Sequence, residues 1–92
     1  MNDDDELLNK ITEYSAALLT PFDIAVLLSI DDLEKFTAQC LNWVNDPIYR
    51  AYHKGRTQTK LELHEKVIKL AKAGSPKADE LANDWLINQN LK

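Results

Sequence analysis

The stretch from Pro47 to Ala73 constrains the fold of this chain more than any other. Apolar or small residues recur along it at steps of three or four: Ile48, Tyr52, Gly55, Thr59, Leu63, Val67 and Leu70. That spacing predicts one long helix. Asp46 before Pro47 is typical of a helix start, and Gly74 with Pro76 is typical of a helix end. At about 1.5 Å per residue this helix is roughly 40 Å long, so the rest of the chain, or another chain, must pack around it.

Two shorter helices are predicted ahead of the long one. Residues 4–19 have one apolar face, and acidic side chains crowd their first turn, where the helix dipole favours them. A second helix covers about residues 21–28, because Thr20, Pro21 and Asp23 form the capping pattern of a helix start. This second helix is apolar on nearly every side, so we expect it to be buried.

A third helix and a fifth complete the predicted secondary structure. The third begins at Asp31, with Glu34 as its capping-box partner, and runs to about Val44. Its inward-facing residues are expected to be Leu33, Phe36, Cys40, Trp43 and Val44. The fifth opens at Ser75 and should fold back as an antiparallel partner for the end of the long helix. We therefore predict an all-α fold of about five helices, with a helix-turn-helix at 21–44 followed by the long helix and a helical hairpin.

Length and composition favour one small domain over residues 1–92, with a helix-turn-helix-like part at 1–45 and the long and C-terminal helices at 46–92. The contents of 45% apolar and 28% charged residues are typical of a folded globular protein. The acidic start has no feature of a signal peptide, and no apolar run approaches the ~20 residues of a membrane span. Cys40 is the one cysteine, which fits a reducing compartment. We expect a cytoplasmic protein that is not integral to a membrane.

The net charge of −4 conceals two opposite regions. Residues 1–48 contain two lysines and ten acidic residues, whereas residues 49–72 contain seven basic residues and two glutamates. This division fits contact between the basic helix and a polyanion. It fits equally well a pairing of unlike regions within or between chains.

The helix-turn-helix pattern supplies a first candidate DNA contact. Ala25 is the small residue that a crossing helix requires, and Ser29 occupies a turn position where glycine is common. The candidate groove contacts on the third helix are Lys35, Gln39 and Asn42. The start of that helix is acidic, which disfavours phosphate, so the alternative is a helical corner without DNA contact.

The long helix supplies a second candidate. Five cationic or potentially cationic side chains lie within about 120° of one another on a helical wheel, opposite the apolar stripe. They are Arg50, His53, Lys54, Lys60 and His64. Arg56 borders this strip. We predict phosphate contacts from four of these residues: Arg50, Lys54, Arg56 and Lys60. The alternative is an ordinary solvated helix face.

Metal binding and catalysis are not expected. His53 and His64 lie about 16 Å apart along the helix, too far to share one ion, and Cys40 has no second cysteine beside it. No nucleophile stands in an interpretable relation to a base, and two glycines are too few for a glycine-rich phosphate loop. We therefore predict no cofactor and no enzyme activity.

Several residues together form a pattern that extends over about residues 20–85. They are Ile24, Ala25 and Leu28 before the turn; Tyr49, Tyr52, Lys54 and Gly55 in the long helix; and Ile68, Leu70, Ala71, Gly74, Ser75, Pro76 and Ala78. In this pattern the chain resembles the small terminase subunits and related helix-turn-helix proteins of tailed phages and prophages.

The resemblance implies an N-terminal DNA-binding unit joined to helices that oligomerise, often into rings. Such proteins recognise phage DNA for packaging and hand it to a large ATPase subunit. The implied partners are double-stranded DNA, further copies of the chain and a large terminase subunit. The alternative, suggested by the division of charge, is a helical protein-interaction or assembly module without DNA binding.

Overall fold

The computed structural model describes residues 3–89 and contains five α-helices in that range. They are α1 (Asp3–Ala16), α2 (Pro21–Leu27), α3 (Leu33–Leu41), α4 (Pro47–Lys72) and α5 (Pro76–Gln89). No β-strand occurs within these residues. The predicted all-α fold, with a long helix fourth of five, is confirmed.

Side-chain caps start α2 and α4 where the sequence predicts them. The Thr20 hydroxyl accepts a hydrogen bond from the Asp23 N–H at 3.2 Å, and the Asp23 carboxylate accepts one from the Thr20 N–H at 3.3 Å. Asp46 Oδ1 accepts a hydrogen bond from the N–H of Ile48 at 2.8 Å. Each cap satisfies a backbone donor that the first turn of a helix leaves free.

The predicted bounds of α3 are wrong at both ends. Its N-cap is Asp32 rather than Asp31, and the carboxylate of Asp32 accepts from a backbone N–H of the first turn at 3.0 Å. The helix ends at Leu41 and does not reach Val44. There the N–H of Trp43 bonds at 3.1 Å to the carbonyl five residues before it, so the chain leaves the helical path.

Three of the helices end in the same hydrogen-bonded turn. After α1, α2 and α4 comes a residue with positive φ: Leu18 at 66°, Ser29 at 55° and Gly74 at 101°. The next residue then donates to a carbonyl five positions earlier, which is a Schellman motif. A residue with a Cβ is disfavoured in this conformation by roughly 1–2 kcal/mol. The positive φ of Leu18 and Ser29 therefore has a free-energy cost that Gly74, which has no Cβ, does not have.

Contacts group Met1–Thr59 into one compact unit and Lys60–Lys92 into a second. In the first unit α1, α2, α3 and the first half of α4 enclose a core of seven apolar side chains, each at most 8% exposed. This core consists of Ile11, Ile24, Ala25, Phe36, Cys40, Ala51 and Tyr52. The first half of the long helix is thus an integral part of the fold around α2 and α3.

Helices α1 and α4 approach closely at Gly55. A Cβ at this position would overlap Ser15 Oγ and the carbonyl oxygen of Thr12, and would lie 2.8 Å from the backbone nitrogen of Ala16. Ser15 is fully buried, and its hydroxyl donates to the Thr12 carbonyl at 3.0 Å. One turn further along α4, the Thr59 hydroxyl donates to the carbonyl of Ala16. The missing side chain at Gly55 lets the backbone of α1 rest directly on α4.

The prediction that α2 is buried is wrong. Ile24 and Ala25 are its buried residues. Its remaining large apolar side chains are more than half exposed: Phe22 at 58%, Val26 at 60% and Leu27 at 55%. A helix of seven residues that rests on the core by one side leaves the opposite side to solvent, however apolar it is.

Trp43 and Val44, also predicted to face inward, are exposed by 45% and 61%. They follow the end of α3, so the helical periodicity that places Phe36 and Cys40 in the core no longer applies to them. Leu33, at the other end of α3, is 37% exposed. The inward-facing prediction therefore holds for the middle of the helix and fails at its ends.

The second unit is a helical hairpin made from the second half of α4 and from α5. The His64 ring stacks on Trp85, with centroids 3.5 Å apart and planes 11° from parallel. Ile68 and Ala82 line the same cleft as these rings. Ile68 comes after His64 on α4, whereas Ala82 comes before Trp85 on α5, and all four residues line one cleft. This order indicates that the two helices run antiparallel, as predicted. Ala78 is the only buried residue among those described in this unit.

Candidate nucleic-acid interface

Arg50 and Lys54 lie on the solvent side of α4 in the first unit. Because Ala51 and Gly55 face the core, the helix turns Arg50 and Lys54, which are about one turn apart, away from it. Both side chains are exposed. Neither forms an ion pair with a carboxylate in residues 3–89. They present two uncompensated positive charges to solvent.

Arg56 has a different environment, although it was predicted to join the same contact. Its side chain is partly buried, and Nη1 donates to the carbonyl of Leu19 at 3.2 Å. The guanidinium lies 5.4 Å from the centre of the Tyr52 ring, a distance at which a cation is attracted to the ring face. Arg56 therefore holds the turn after α1 against α4, whatever else it binds.

His53 likewise contacts other residues of the first unit. Its Nε2 lies 3.0 Å from the carbonyl oxygen of Cys40, close to the end of α3. The ring packs on Tyr49, with centroids 4.1 Å apart, and meets Tyr52 edge-on at 5.2 Å. These contacts join α3 to α4 and leave His53 only partly exposed.

The sequence contains a signal that His53 and Arg56 contact other parts of the fold. Tyr49 and His53 are four residues apart, as are Tyr52 and Arg56, and this spacing places an aromatic ring beside the second side chain on one helix face. A helical wheel that considers charge alone does not reveal this spacing of aromatic and basic residues. The carbonyl partners, in contrast, come from α1 and α3 and have no local signature.

Lys60 and His64, the other cationic positions predicted on α4, belong to the second unit. Lys60 is exposed and has no carboxylate partner within the described part of the chain. His64 is partly buried by its stacking on Trp85. Of these two, Lys60 is the one whose charge is fully presented to solvent.

The predicted groove contacts on α3 stand beside a row of acids. Lys35 is exposed in the first turn, and Asn42 is exposed at the C-cap. Gln39 is partly buried, and its Nε2 donates to Asp46 Oδ2 at 3.3 Å. Three exposed acidic residues share the start of this helix: Asp31, Asp32 and Glu34. Their charge opposes a phosphate at that end of α3.

Cys40 lies beneath this surface as a core residue. Burial, together with the smaller effect of the negative charge of Asp46, raises the pKa of its thiol to about 12. The thiol is therefore neutral near pH 7 and has no solvent contact. It behaves as a small apolar side chain, because a reactive or metal-binding cysteine needs an accessible thiolate.

Within the part of the chain that the structure describes, no group of three or more His, Cys, Asp or Glu side chains is arranged to hold a metal ion. None of the described helices combines the length and the apolar character needed to cross a bilayer.

The resemblance to terminase small subunits rests on the residues quoted above. In comparisons with known proteins, no protein-family model, no curated protein and no solved structure matches this chain.

Proposed function

We propose that this protein binds double-stranded DNA without catalysing a reaction on it, as a packaging or regulatory protein similar to a phage terminase small subunit. The observation that carries the proposal is the pair Arg50 and Lys54, exposed on α4 with no carboxylate partner in residues 3–89. Unpaired cations gain the most from a phosphate, because binding releases the counterions that surround DNA. Such contacts supply affinity that does not depend on base sequence.

Arg56 would contribute at the border of this contact. A guanidinium has five N–H donors, and the Leu19 carbonyl accepts from Nη1. The remaining donors can reach a phosphate without breaking that bond. Lys60 would add a further phosphate contact from the second unit, where it is exposed.

Helix α3 would add little sequence readout. Lys35 and Asn42 are exposed and can reach a base edge or a phosphate, but Gln39 would first have to release Asp46. The acidic start of the helix keeps phosphates at a distance. We therefore expect binding to be dominated by α4 and to be strongly dependent on salt.

Self-association would strengthen such modest contacts, because linked copies bind at high effective concentration. The second unit favours it, since seven large apolar side chains there are more than 40% exposed. They are Leu61, Leu63, Ile68, Leu70, Leu81, Leu86 and Ile87. A large terminase ATPase is the further partner that the resemblance implies, and the cytoplasm is the compartment in which such proteins would meet.

The exposed apolar residues also favour a second candidate function, a protein-interaction or assembly module without DNA binding. Met1–Thr59 carries five basic and ten acidic residues, a balance that repels a polyanion at long range. Under this alternative, Arg50 and Lys54 would bind acidic residues of another chain.

The test is binding of the whole chain to a duplex of about 30 base pairs, followed by fluorescence anisotropy between about 50 and 200 mM salt. We expect Arg50→Glu combined with Lys54→Glu to weaken binding by about tenfold or more and to reduce the salt slope by about two. The matched control, Lys69→Glu with Lys77→Glu, changes net charge equally at two exposed lysines of the second unit. At a protein concentration low enough for the chain to be monomeric, it should change affinity by no more than about twofold.

If the test and control variants lose the same amount of DNA affinity, Arg50 and Lys54 do not form the DNA contact, and the loss reflects only the change in net charge. A wild-type chain that shows no saturable binding at the lowest salt would contradict DNA binding altogether. The assembly module would then be the better description.

A further inference from the structure

The solvent side of α2 is an apolar surface with one acidic residue in it. We call it the α2 face; it consists of Phe22, Asp23, Val26 and Leu27, all exposed. With Leu19, these residues line a shallow cleft of about 310 Å³. Large apolar side chains clustered on a surface mark a site of contact with another molecule.

A second apolar surface lies on the second half of α4. We call it the α4 face; it consists of Leu63, Lys66 and Leu70. The leucines lie about two turns apart on one side of the helix, and they are 51% and 48% exposed. Lys66 lies between them and is exposed. The same apolar stripe is covered earlier on α4, where Tyr52 is only 4% exposed.

We propose that the α2 face of one copy of the chain binds the α4 face of a second copy, so that copies join head to tail. The inference rests on the self-association invoked in the proposed function and names the surfaces that produce it. A contact between two α2 faces would contain two Asp23 carboxylates and no cation of either face, and a contact between two α4 faces would contain two Lys66 ammonium groups and no carboxylate of either face. Only the mixed contact brings Asp23 near Lys66, and like charges across an interface are costly.

The charges of the two units favour the same pairing. Met1–Thr59 has a net charge of −5, from five basic and ten acidic residues. Lys60–Lys92 has a net charge of +1, from six basic and five acidic residues. Two first units therefore repel each other, whereas the nearly neutral second unit does not repel the first unit of another copy.

A head-to-tail contact differs from a symmetric one in what it leaves free. A single head-to-tail contact leaves one α2 face and one α4 face of the pair unused, so that a further copy can add or the two free faces can bind each other and close a ring. A symmetric contact would stop at two copies. This difference allows a test with paired variants.

The experiment blocks one face at a time. Val26→Arg blocks the α2 face, and Leu63→Arg blocks the α4 face. We expect wild-type protein to grow in mass with concentration, as measured by light scattering on a sizing column. Each variant alone should stay at the mass of one chain to at least about tenfold higher concentration. Mixed in equal amounts, the two variants should form a species of two chains, because the mixture still has one intact face of each kind.

Circular dichroism shows whether each variant remains folded; both positions are more than half exposed, so folding should be unaffected. Leu41→Arg is the matched control, since Leu41 is 48% exposed and belongs to neither face. It should associate like wild type. Wild-type protein that stays at the mass of one chain, Val26→Arg that associates normally, or mixed variants that do not pair would each overturn the inference.

Duplex binding by the same samples separates this inference from the proposed function. If wild type self-associates through these faces but ignores DNA, the proposed function fails and the inference stands. If wild type binds duplex through Arg50 and Lys54 while Val26→Arg associates normally, the inference fails and DNA binding stands.

Discussion

The two units of this protein bury their apolar residues to very different extents. In Met1–Thr59, seven side chains form a core in which none is more than 8% exposed. In the described part of Lys60–Lys92, Ala78 alone is buried and seven large apolar side chains are more than 40% exposed. Four helical segments can enclose a core, whereas two helices cover only one side of each other. The first unit therefore has the larger apolar core to stabilise it, whereas the second leaves most of its large apolar side chains exposed to solvent.

The largest effect that tests this contrast is truncation of a large apolar side chain in each unit. Phe36 is 2% exposed, so Phe36→Ala should lower the free energy of unfolding by about 3–5 kcal/mol. Leu86 is 61% exposed, and Leu86→Ala should lower it by less than about 0.5 kcal/mol. Urea unfolding at a concentration where the chain is monomeric measures both. Equal losses would mean that the hairpin contributes as much to stability as the four-helix core.

A smaller effect is expected where helices pack without a side chain between them. Alanine normally favours a helix over glycine by about 1 kcal/mol. Gly55→Ala should nevertheless destabilise the protein by about 2–3 kcal/mol, because the new Cβ would overlap Ser15 Oγ and the Thr12 carbonyl. Thermal unfolding gives the difference.

Gly74 is the control for this substitution. Apart from Gly74 itself and its two chain neighbours, no atom lies within 4 Å of a Cβ at this position. Its φ of 101° nevertheless disfavours a side chain, so Gly74→Ala should cost only about 1 kcal/mol. A Gly55→Ala variant as stable as wild type would show that α1 and α4 can separate without loss.

The smallest effect concerns the turns that end α1 and α4. These turns share a Schellman hydrogen-bond pattern, yet the residue at positive φ is Leu18 in one and Gly74 in the other. Leu18→Gly should raise the free energy of unfolding by about 1 kcal/mol, since the side chain is half exposed and its Cβ is disfavoured there. Leu18→Ala keeps the Cβ and should give little of this gain. A loss of stability in Leu18→Gly would show that the leucine side chain contributes more contact than its exposure indicates.

Helix starts were the most predictable part of the fold. Thr20 with Asp23, and Asp46 before Pro47, act on backbone groups within three residues of themselves, so their effect is visible in sequence. The sequence places the start of α3 one residue too early, because Asp31 and Asp32 are both suitable caps. It places the end too late, because Trp43 and Val44 continue the apolar pattern beyond the last helical residue.

The candidate interface was predictable to a similar degree. Arg50 and Lys54 lie opposite the apolar stripe, and the structure places them on the exposed side of α4. Arg56 and His53 belong to the same run of basic residues, but the carbonyls that bind them come from Leu19 and Cys40. These contacts join residues 37 and 13 positions apart, and no periodic pattern in the sequence indicates them. They are visible only in the folded chain.

The amino-acid sequence is sufficient to predict the five helices of residues 3–89, which of them is long, and the separation of basic from acidic residues along the chain. These properties depend on caps, spacing and charge counts over a few neighbouring residues. Which apolar residues are covered depends instead on the tertiary fold. Phe22 and Phe36 are equally apolar, yet one is 58% exposed and the other 2%. Burial depends on which helices meet, and a pattern along one helix shows where a partner could pack but not whether one does.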